Sequence, residues 1–255
     1  MRVLDWHKDH PDALVKSGEM AIHEELHASR AEQKRTREQI LAGKRMRVAA
    51  IDRALAEIGS PVSGRVLEVG AGDGWCSAYM QGKFDIDELY VMEIDRPAVE
   101  RLIPATFATF GARTDNVVAV RGSFNRIQMT EHFDWVVAMG SLHHSSNLYA
   151  TMCSIRSCLR PGGWLLAQEP AMADDTPNRK FVEREQEEVV IQGFKKVANA
   201  DRTDLFYRRC EYQTAAFHAG LDVRVLYLRR WWQRGAVDKP EPVILLAQRS
   251  TGPYE

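Results

Sequence analysis

The chain has 255 residues, with 34 Lys and Arg against 35 Asp and Glu, and 45% of its residues are hydrophobic. This composition is close to the globular average, which argues against disordered, collagenous and coiled-coil classes. A formal charge of −1 argues against a protein that coats nucleic acid through a strong basic field.

The first dozen residues carry Arg2, Asp5, Lys8, Asp9 and Asp12 and no apolar signal core, and no run reaches the ~18 apolar residues of a membrane span. Cys76, Cys153, Cys158 and Cys210 lack CxxC or Cys/His ligand spacing, which argues against a disulfide scaffold or structural zinc. The expectation is a soluble cytoplasmic protein. Residues 1–59 read as a mostly helical cap or lid, because Ile40, Leu41, Met46, Ala50, Ile51, Leu55 and Ile58 fall on about one helical face. Between residues 30 and 53, eight basic residues stand against Glu32, Glu38 and Asp52, so eight minus three leaves a local +5. That is either a solvated helix face or a contact for an anionic substrate or partner.

Residues 60–255 read as the single domain that this lid covers. Runs at Arg65–Val69, Leu89–Ile94, Val117–Val120, Phe133–Met139 and Trp164–Gln168 are apolar on consecutive positions, as strands buried on both faces of a parallel sheet are. Pro97–Phe110 and Asn147–Leu159 are long enough for crossover helices, and Pro161-Gly162-Gly163 stops the second before the fifth strand. A helical-looking insert follows over about residues 170–209. Its Arg179, Lys180, Phe181, Arg184, Lys195, Lys196, Arg202, Phe206, Tyr207, Arg208 and Arg209 either grip an anionic or sugar-like acceptor or pair with Glu183, Glu185, Glu187 and Glu188. Asp222–Leu228 and Val243–Ala247 are two more strands, and the short link between them holds Gly235, Pro240 and Pro242. Such a link is tight for a helical crossover and predicts an antiparallel hairpin. Trp231-Trp232 within it reads as packing, a homodimer contact or sugar stacking. The element order predicts an α/β fold with a doubly wound, seven-stranded sheet, mostly parallel, with one antiparallel strand near the C-terminus.

Glu68-Val69-Gly70-Ala71-Gly72-Asp73-Gly74 ends the first of these runs and opens a helix. Glycines here let the backbone turn sharply and bring main-chain N–H groups against a ligand. A dinucleotide fingerprint would need glycine where the chain has Trp75, and a P-loop would need Gly-Lys-Ser/Thr. The acidic Glu68 suits a cationic ligand better than a pyrophosphate. The segment matches [ED]-x-G-x-G-x-G at every defined position and so resembles the first motif of the class I S-adenosylmethionine-dependent methyltransferases. The resemblance spans about Val62 to Arg249. It includes an acid closing the second strand, the Leu159-Arg160-Pro161-Gly162-Gly163 turn and the terminal hairpin.

The resemblance implies a Rossmann-like fold, S-adenosyl-L-methionine as cofactor and S-adenosyl-L-homocysteine as product. It sets Glu68 and the loop Gly70, Ala71, Gly72, Asp73 and Gly74 at the methionine end. Glu93, with Ile94 beside it, would take the ribose hydroxyls, Asp95 being the competing acid. Ser123 and Phe124 would flank the adenine, with Ser123 standing where many relatives have Asp. Met139, Gly140, Ser141 and Leu142 would lie beneath the sulfonium and methyl group. His143 and His144 come next, and an imidazole suits a general base for a hydroxyl, a structural role being the alternative. Glu169 is either a ligand for an acceptor hydroxyl or amine, or a capping carboxylate. Met-Gly-Ser-Leu replaces the Asn/Asp-Pro-Pro-aromatic of base N-methyltransferases, so a nucleic-acid substrate is disfavoured. The loop lacks the carboxylates of a magnesium site, so no metal is expected. The reading is methyl transfer to a polar small molecule or glycan, with a hydroxyl as first choice. Small-molecule N-methylation and a non-catalytic cofactor-binding regulator are the alternatives.

Overall fold

The computed structural model of the chain describes residues 1–9, 11–12, 17–186, 189–191, 195–197, 205, 207–227 and 240–252. The N-terminal region holds β1 (Arg2–Asp5), α1 (Trp6–Asp9), α2 (Ser17–Ala31), α3 (Arg37–Ala42) and α4 (Arg45–Ile58). There follow β2 (Gly64–Val69), α5 (Trp75–Lys83), β3 (Ile86–Glu93) and a π-turn, Ala98–Leu102, that runs into α6 (Ile103–Phe110). Next come β4 (Val117–Arg121), β5 (Phe133–Met139), a 3₁₀ turn at Leu142–His144, α7 (Leu148–Cys158) and β6 (Leu159–Ala171). The insert carries α8 (Asn178–Gln186) and the ribbon β7 (Val189–Ile191) with β8 (Lys195–Val197), and α9 (Arg209–His218), β9 (Leu221–Tyr227) and β10 (Glu241–Arg249) end the described chain.

The main sheet runs β1-β4-β3-β2-β5-β6-β10-β9. Strands β2 to β6 and β1 pair in parallel, whereas β10 is antiparallel to both β6 and β9. Because side chains alternate across a strand, the continuous apolar runs feed two cores. Val66, Val91, Trp135 and Val137 meet Ile51 and Ala54 of α4, Trp75 and Met80 of α5, and Ile103 and Phe107 of α6. Leu67, Val69, Met92 and Val136 meet Met152 and Ile155 of α7 and Tyr212 and Ala216 of α9 on the other side. The result is a three-layer α/β/α body.

The sheet has eight strands where the sequence predicts seven. Arg2–Asp5, read as part of a helical cap, pairs in parallel with β4, from Arg2 beside Val118 to Asp5 beside Arg121. A four-residue strand is too short for periodicity to declare itself, and only the free edge of β4 gives it a partner. Trp6 follows, buried and stacked on Tyr90 with ring centroids 6.4 Å apart, so the start of the chain belongs to the α/β body. A second departure concerns Pro161-Gly162-Gly163. Helix α7 ends at Cys158, and the Pro-Gly-Gly segment lies inside β6, where the register with β5 shifts between Phe133 and Trp135.

The antiparallel hairpin is present, with Val243 opposite Tyr227 and Arg249 opposite Leu221. Its link, including Trp231-Trp232, lies outside the described residues. In the insert, the Arg208 guanidinium lies over the Phe181 ring at 4.4 Å and donates to Asn178 Oδ1 at 2.7 Å. Lys180 pairs with Glu183 at 2.7 Å, and Arg209 sits over Tyr227. These groups hold the insert together. Arg202, Phe206, Glu187 and Glu188 lie outside the described residues, as do the side chains of Arg184, Glu185, Lys195 and Lys196. Among the described residues no helix is long and apolar enough to cross a membrane.

Candidate active site

Strand order reverses at β2, which has β3 on one side and β5 on the other. In an open α/β sheet that reversal leaves a crevice at the carboxyl ends of the strands, where ligands bind. Both loops singled out in the sequence leave the sheet here. The first, Gly70 to Gly74, turns through positive φ at Gly70 (62°), Gly72 (56°) and Gly74 (72°), a region that costs other residues about 1–2 kcal/mol each. It is closed by Ala71 N–H donating to the Met92 carbonyl and Gly74 N–H to that of Ala71, each at 2.9 Å. Above Gly72 there is room, since a Cβ there would have His27 Nε2, at 4.0 Å, as its nearest neighbour.

Glu68 is buried beneath this loop and accepts from the Ser77 N–H at 2.9 Å and from the Ser77 hydroxyl. Burial pushes its pKa up to about 7, against those hydrogen bonds. Its contacts are thus with the first turn of α5 rather than with the open side of the loop. Glu93 closes β3, accepting from Gly72 N–H and Ile94 N–H at 2.7 Å each. Burial and then the Asp95 charge raise its pKa. Asp95 is fully buried, caps the π-turn through Ala98 N–H at 2.8 Å and receives His27 Nδ1. Of these two acids, Glu93 is the one hydrogen-bonded to the glycine loop.

Ser123 and Phe124 follow β4. Ser123 is buried and donates to Asp12 Oδ2 at 2.5 Å, and the same oxygen accepts from Asn125 Nδ2 at 2.9 Å. A carboxylate from the N-terminal segment therefore stands beside Ser123. Phe124 packs, partly buried, against the core.

The second loop begins where Met139 ends β5, buried. Gly140, at φ 76°, donates to the Gln168 carbonyl at 2.7 Å, and Ser141 Oγ donates to the Val69 carbonyl at 2.9 Å, tying the two loops together. Leu142 is fully buried in the core. Glu169, also fully buried, accepts from the N–H groups of Ser141 and Leu142 at 2.9 Å each and of His143 at 3.3 Å. Its Oε2 also lies 2.8 Å from His143 Nδ1. A carboxylate only accepts, so Nδ1 carries the proton and Nε2 is the basic nitrogen of a neutral His143.

The His144 ring lies 4.2 Å from that of His143 and 5.5 Å from that of His23, which is 5.9 Å from His27. Four imidazoles thus form a row from Asp95 to Glu169, two of them supplied by α2. Burial, then the charge of His27, pushes His23 down to about 4. At His27 burial acts downward, but the hydrogen bond and charge of Asp95, with Glu93, raise the pKa. Sequence reasoning missed His23, His27 and Asp12. The i, i+4 spacing of the two histidines puts them on one helix face, but which surface that face meets is a tertiary fact.

The family model described as methyltransferase domain matches residues 35–223, well over half of the chain. No curated protein matches it in sequence. Among solved structures, the chain in complex with the Haloferax volcanii Trm112 methyltransferase activator is 14% identical. That pair covers 92% of this chain and 99% of the other, at a TM-score of 0.60. An S-adenosylmethionine-dependent methyltransferase from Mesorhizobium loti is 14% identical, covering 80% and 100%, with a TM-score of 0.57. Phosphoethanolamine N-methyltransferase 2 from Haemonchus contortus, in complex with S-adenosyl-L-methionine, is 13% identical, covering 78% and 52%, with a TM-score of 0.58. At such identities the structures share the fold, and the family match supplies the assignment over the stretch that carries both crevice loops. The chain belongs to the methyltransferase-domain family and is a class I methyltransferase that uses S-adenosylmethionine.

Proposed function

We propose that the enzyme methylates a hydroxyl of a polar small molecule or glycan, with His143 as the proton acceptor. The observation that carries this reading is the 2.8 Å contact from Glu169 to His143 Nδ1, which fixes the ring with Nε2 as its basic nitrogen. Glu169 is then a positioning residue. When bound, S-adenosylmethionine supplies a methyl carbon already activated by its sulfonium. The protein's main task is orientation, worth on the order of 7–11 kcal/mol, while a base adds about 10²–10⁴-fold where the nucleophile must lose a proton.

The crevice fits that cofactor. The space above Gly72 leaves the outer face of the glycine loop open to a ligand, and the Glu93 carboxylate, held by the Gly72 N–H at the loop's edge, suits paired ribose hydroxyls. In this reading Gly70 to Gly74 hold the methionine end over Glu68. Ile94, Ser123 and Phe124 flank the nucleoside, and Met139, Gly140 and Leu142 shape the floor below the methyl. Asp12 provides, beside Ser123, a carboxylate for the adenine amino group. Within the N-terminal region β1 and Trp6 join the α/β body while α2 acts as a cap that closes the crevice, and residues 60–255, with the insert at 170–209, form the rest of the catalytic domain.

A panel of hydroxyl and amine acceptors, read by S-adenosylhomocysteine formation, tests this. His143→Ala should lower turnover of the accepted hydroxyl compound by about 10²–10⁴ with cofactor affinity unchanged. Turnover surviving in His143→Ala, on an amine, would shift the reading to N-methylation, the chemistry named for the Haemonchus relative.

A further inference from the structure

Four cations converge on the methionine side of the crevice from three consecutive segments of the N-terminal region. Arg35 Nη2 lies 3.2 Å from Oδ2 of Asp73, which is buried within the glycine loop. Burial lowers the pKa of Arg30, at the end of α2, and of Lys44, just before α4, and the Asp73 charge acts on both in the opposite direction. Lys44 Nζ sits over the face of Trp75 at 5.6 Å. Arg47, in the first turn of α4, covers the second loop, for a Cβ added at Gly140 would come within 2.5 Å of Arg47 Nη2. Gly140 lies three residues before His143, so the cluster reaches from the glycine loop to the loop that carries the proposed base.

The charges within the cluster do not balance. Four cations against Asp73 leave four minus one, or +3. The acids on either side of the glycine loop, Glu68 and Glu93, are turned to Ser77 and to the Gly72 and Ile94 N–H groups. The cations oppose one another: burial, and then the charges of Arg47, Arg30 and Arg35, lower the pKa of Lys44 against the pull of Asp73. Like charges gathered at a partly buried site are costly unless an anion joins them. The cofactor's single carboxylate, accompanied by its own ammonium and sulfonium, does not by itself offset this charge, which leaves room for a second anion.

We propose that Arg30, Arg35, Lys44 and Arg47 form an anion subsite, and that the methyl acceptor is a compound whose carboxylate or phosphate binds there. This rests on the methyltransferase reading and narrows its substrate class. Paired guanidinium groups suit such oxyanions because each can present two parallel N–H donors. The fourth cation, Lys44, adds a compact point charge.

The test is calorimetric titration of inorganic phosphate into protein saturated with S-adenosylhomocysteine. Wild type should bind phosphate, and Arg30→Gln and Arg47→Gln should each weaken it by about tenfold or more, as loss of one cation from a partly buried charge contact does. S-Adenosylhomocysteine affinity should stay within about twofold in both variants. Lys34→Gln, an exposed change outside the cluster, should alter neither affinity. Phosphate that fails to bind, or binds the variants as tightly as wild type, overturns the proposal. So does a fall in S-adenosylhomocysteine affinity with unchanged affinity for 5′-methylthioadenosine, since the cations would then hold the cofactor's own carboxylate. Failure of wild type to bind S-adenosylhomocysteine overturns the underlying methyltransferase reading, a signature distinct from loss of phosphate binding alone. In the acceptor panel, turnover should be confined to phosphorylated or carboxylated compounds, and turnover of neutral alcohols alone would contradict it.

Discussion

Glu68, buried, and His23, partly buried, tie this site to pH with opposite signs. Glu68 has its folded pKa raised from the usual carboxyl value to about 7 by burial. The folded chain therefore holds a proton that the unfolded chain releases, and stability falls as pH rises from about 4.5 to 7. Glu68→Gln, which keeps an acceptor for Ser77, should flatten that slope in urea midpoints measured across the window. His23 is lowered to about 4, so between about pH 6.5 and 4 the unfolded chain binds a proton that the folded chain refuses. Stability is lost as pH falls through that range, and His23→Phe should remove the loss. An unchanged acid slope in His23→Phe would show that this ring is not buried as a neutral group. At the same scale, Asp12→Ala should weaken S-adenosylhomocysteine binding by about 1 kcal/mol or more if Asp12 serves the adenine, as loss of a hydrogen bond to a charged group does.

Among the elements, β1 with Trp6 makes the strongest case for the N-terminus as part of the body. Trp6→Ala should lower stability by about 3 kcal/mol, in the range of large-to-small core changes, seen as a drop in Tm. Strands β2 to β6 were legible because parallel strands buried on both faces carry continuous apolar runs, and the glycine loop was legible because its chemistry is local. The strand Arg2–Asp5 was not legible, having only the edge of β4 to define it. Nor was the placement of Asp12 against Ser123, 111 residues away. The sequence shows that Ser123 lacks a carboxylate but not that the fold returns one. The histidine row was half legible: His143 and His144 stand in the motif loop, while His23 and His27 enter only because α2 packs on the π-turn after β3. What the sequence left open was tertiary throughout.

On the scale of the molecule, near-neutral net charge conceals a division of labour. The sheet supplies the glycine loop, Glu93 and the Glu169–His143 pair, all at the carboxyl ends of β2, β3, β5 and β6. Residues 12–47 supply what surrounds them: Asp12 beside Ser123, His23 and His27 across the crevice, and four cations about Asp73 and Gly140. Cofactor entry should therefore be sensitive to changes in α2. The cofactor cradle is the centre of the site, and calorimetric titration of S-adenosylhomocysteine tests it. The wild-type protein should bind it, and Gly72→Val and Glu93→Ala should each lose about tenfold or more, equivalent to about 1.4 kcal/mol, while remaining folded. No binding by wild type, or equal binding by both folded variants, would contradict the account.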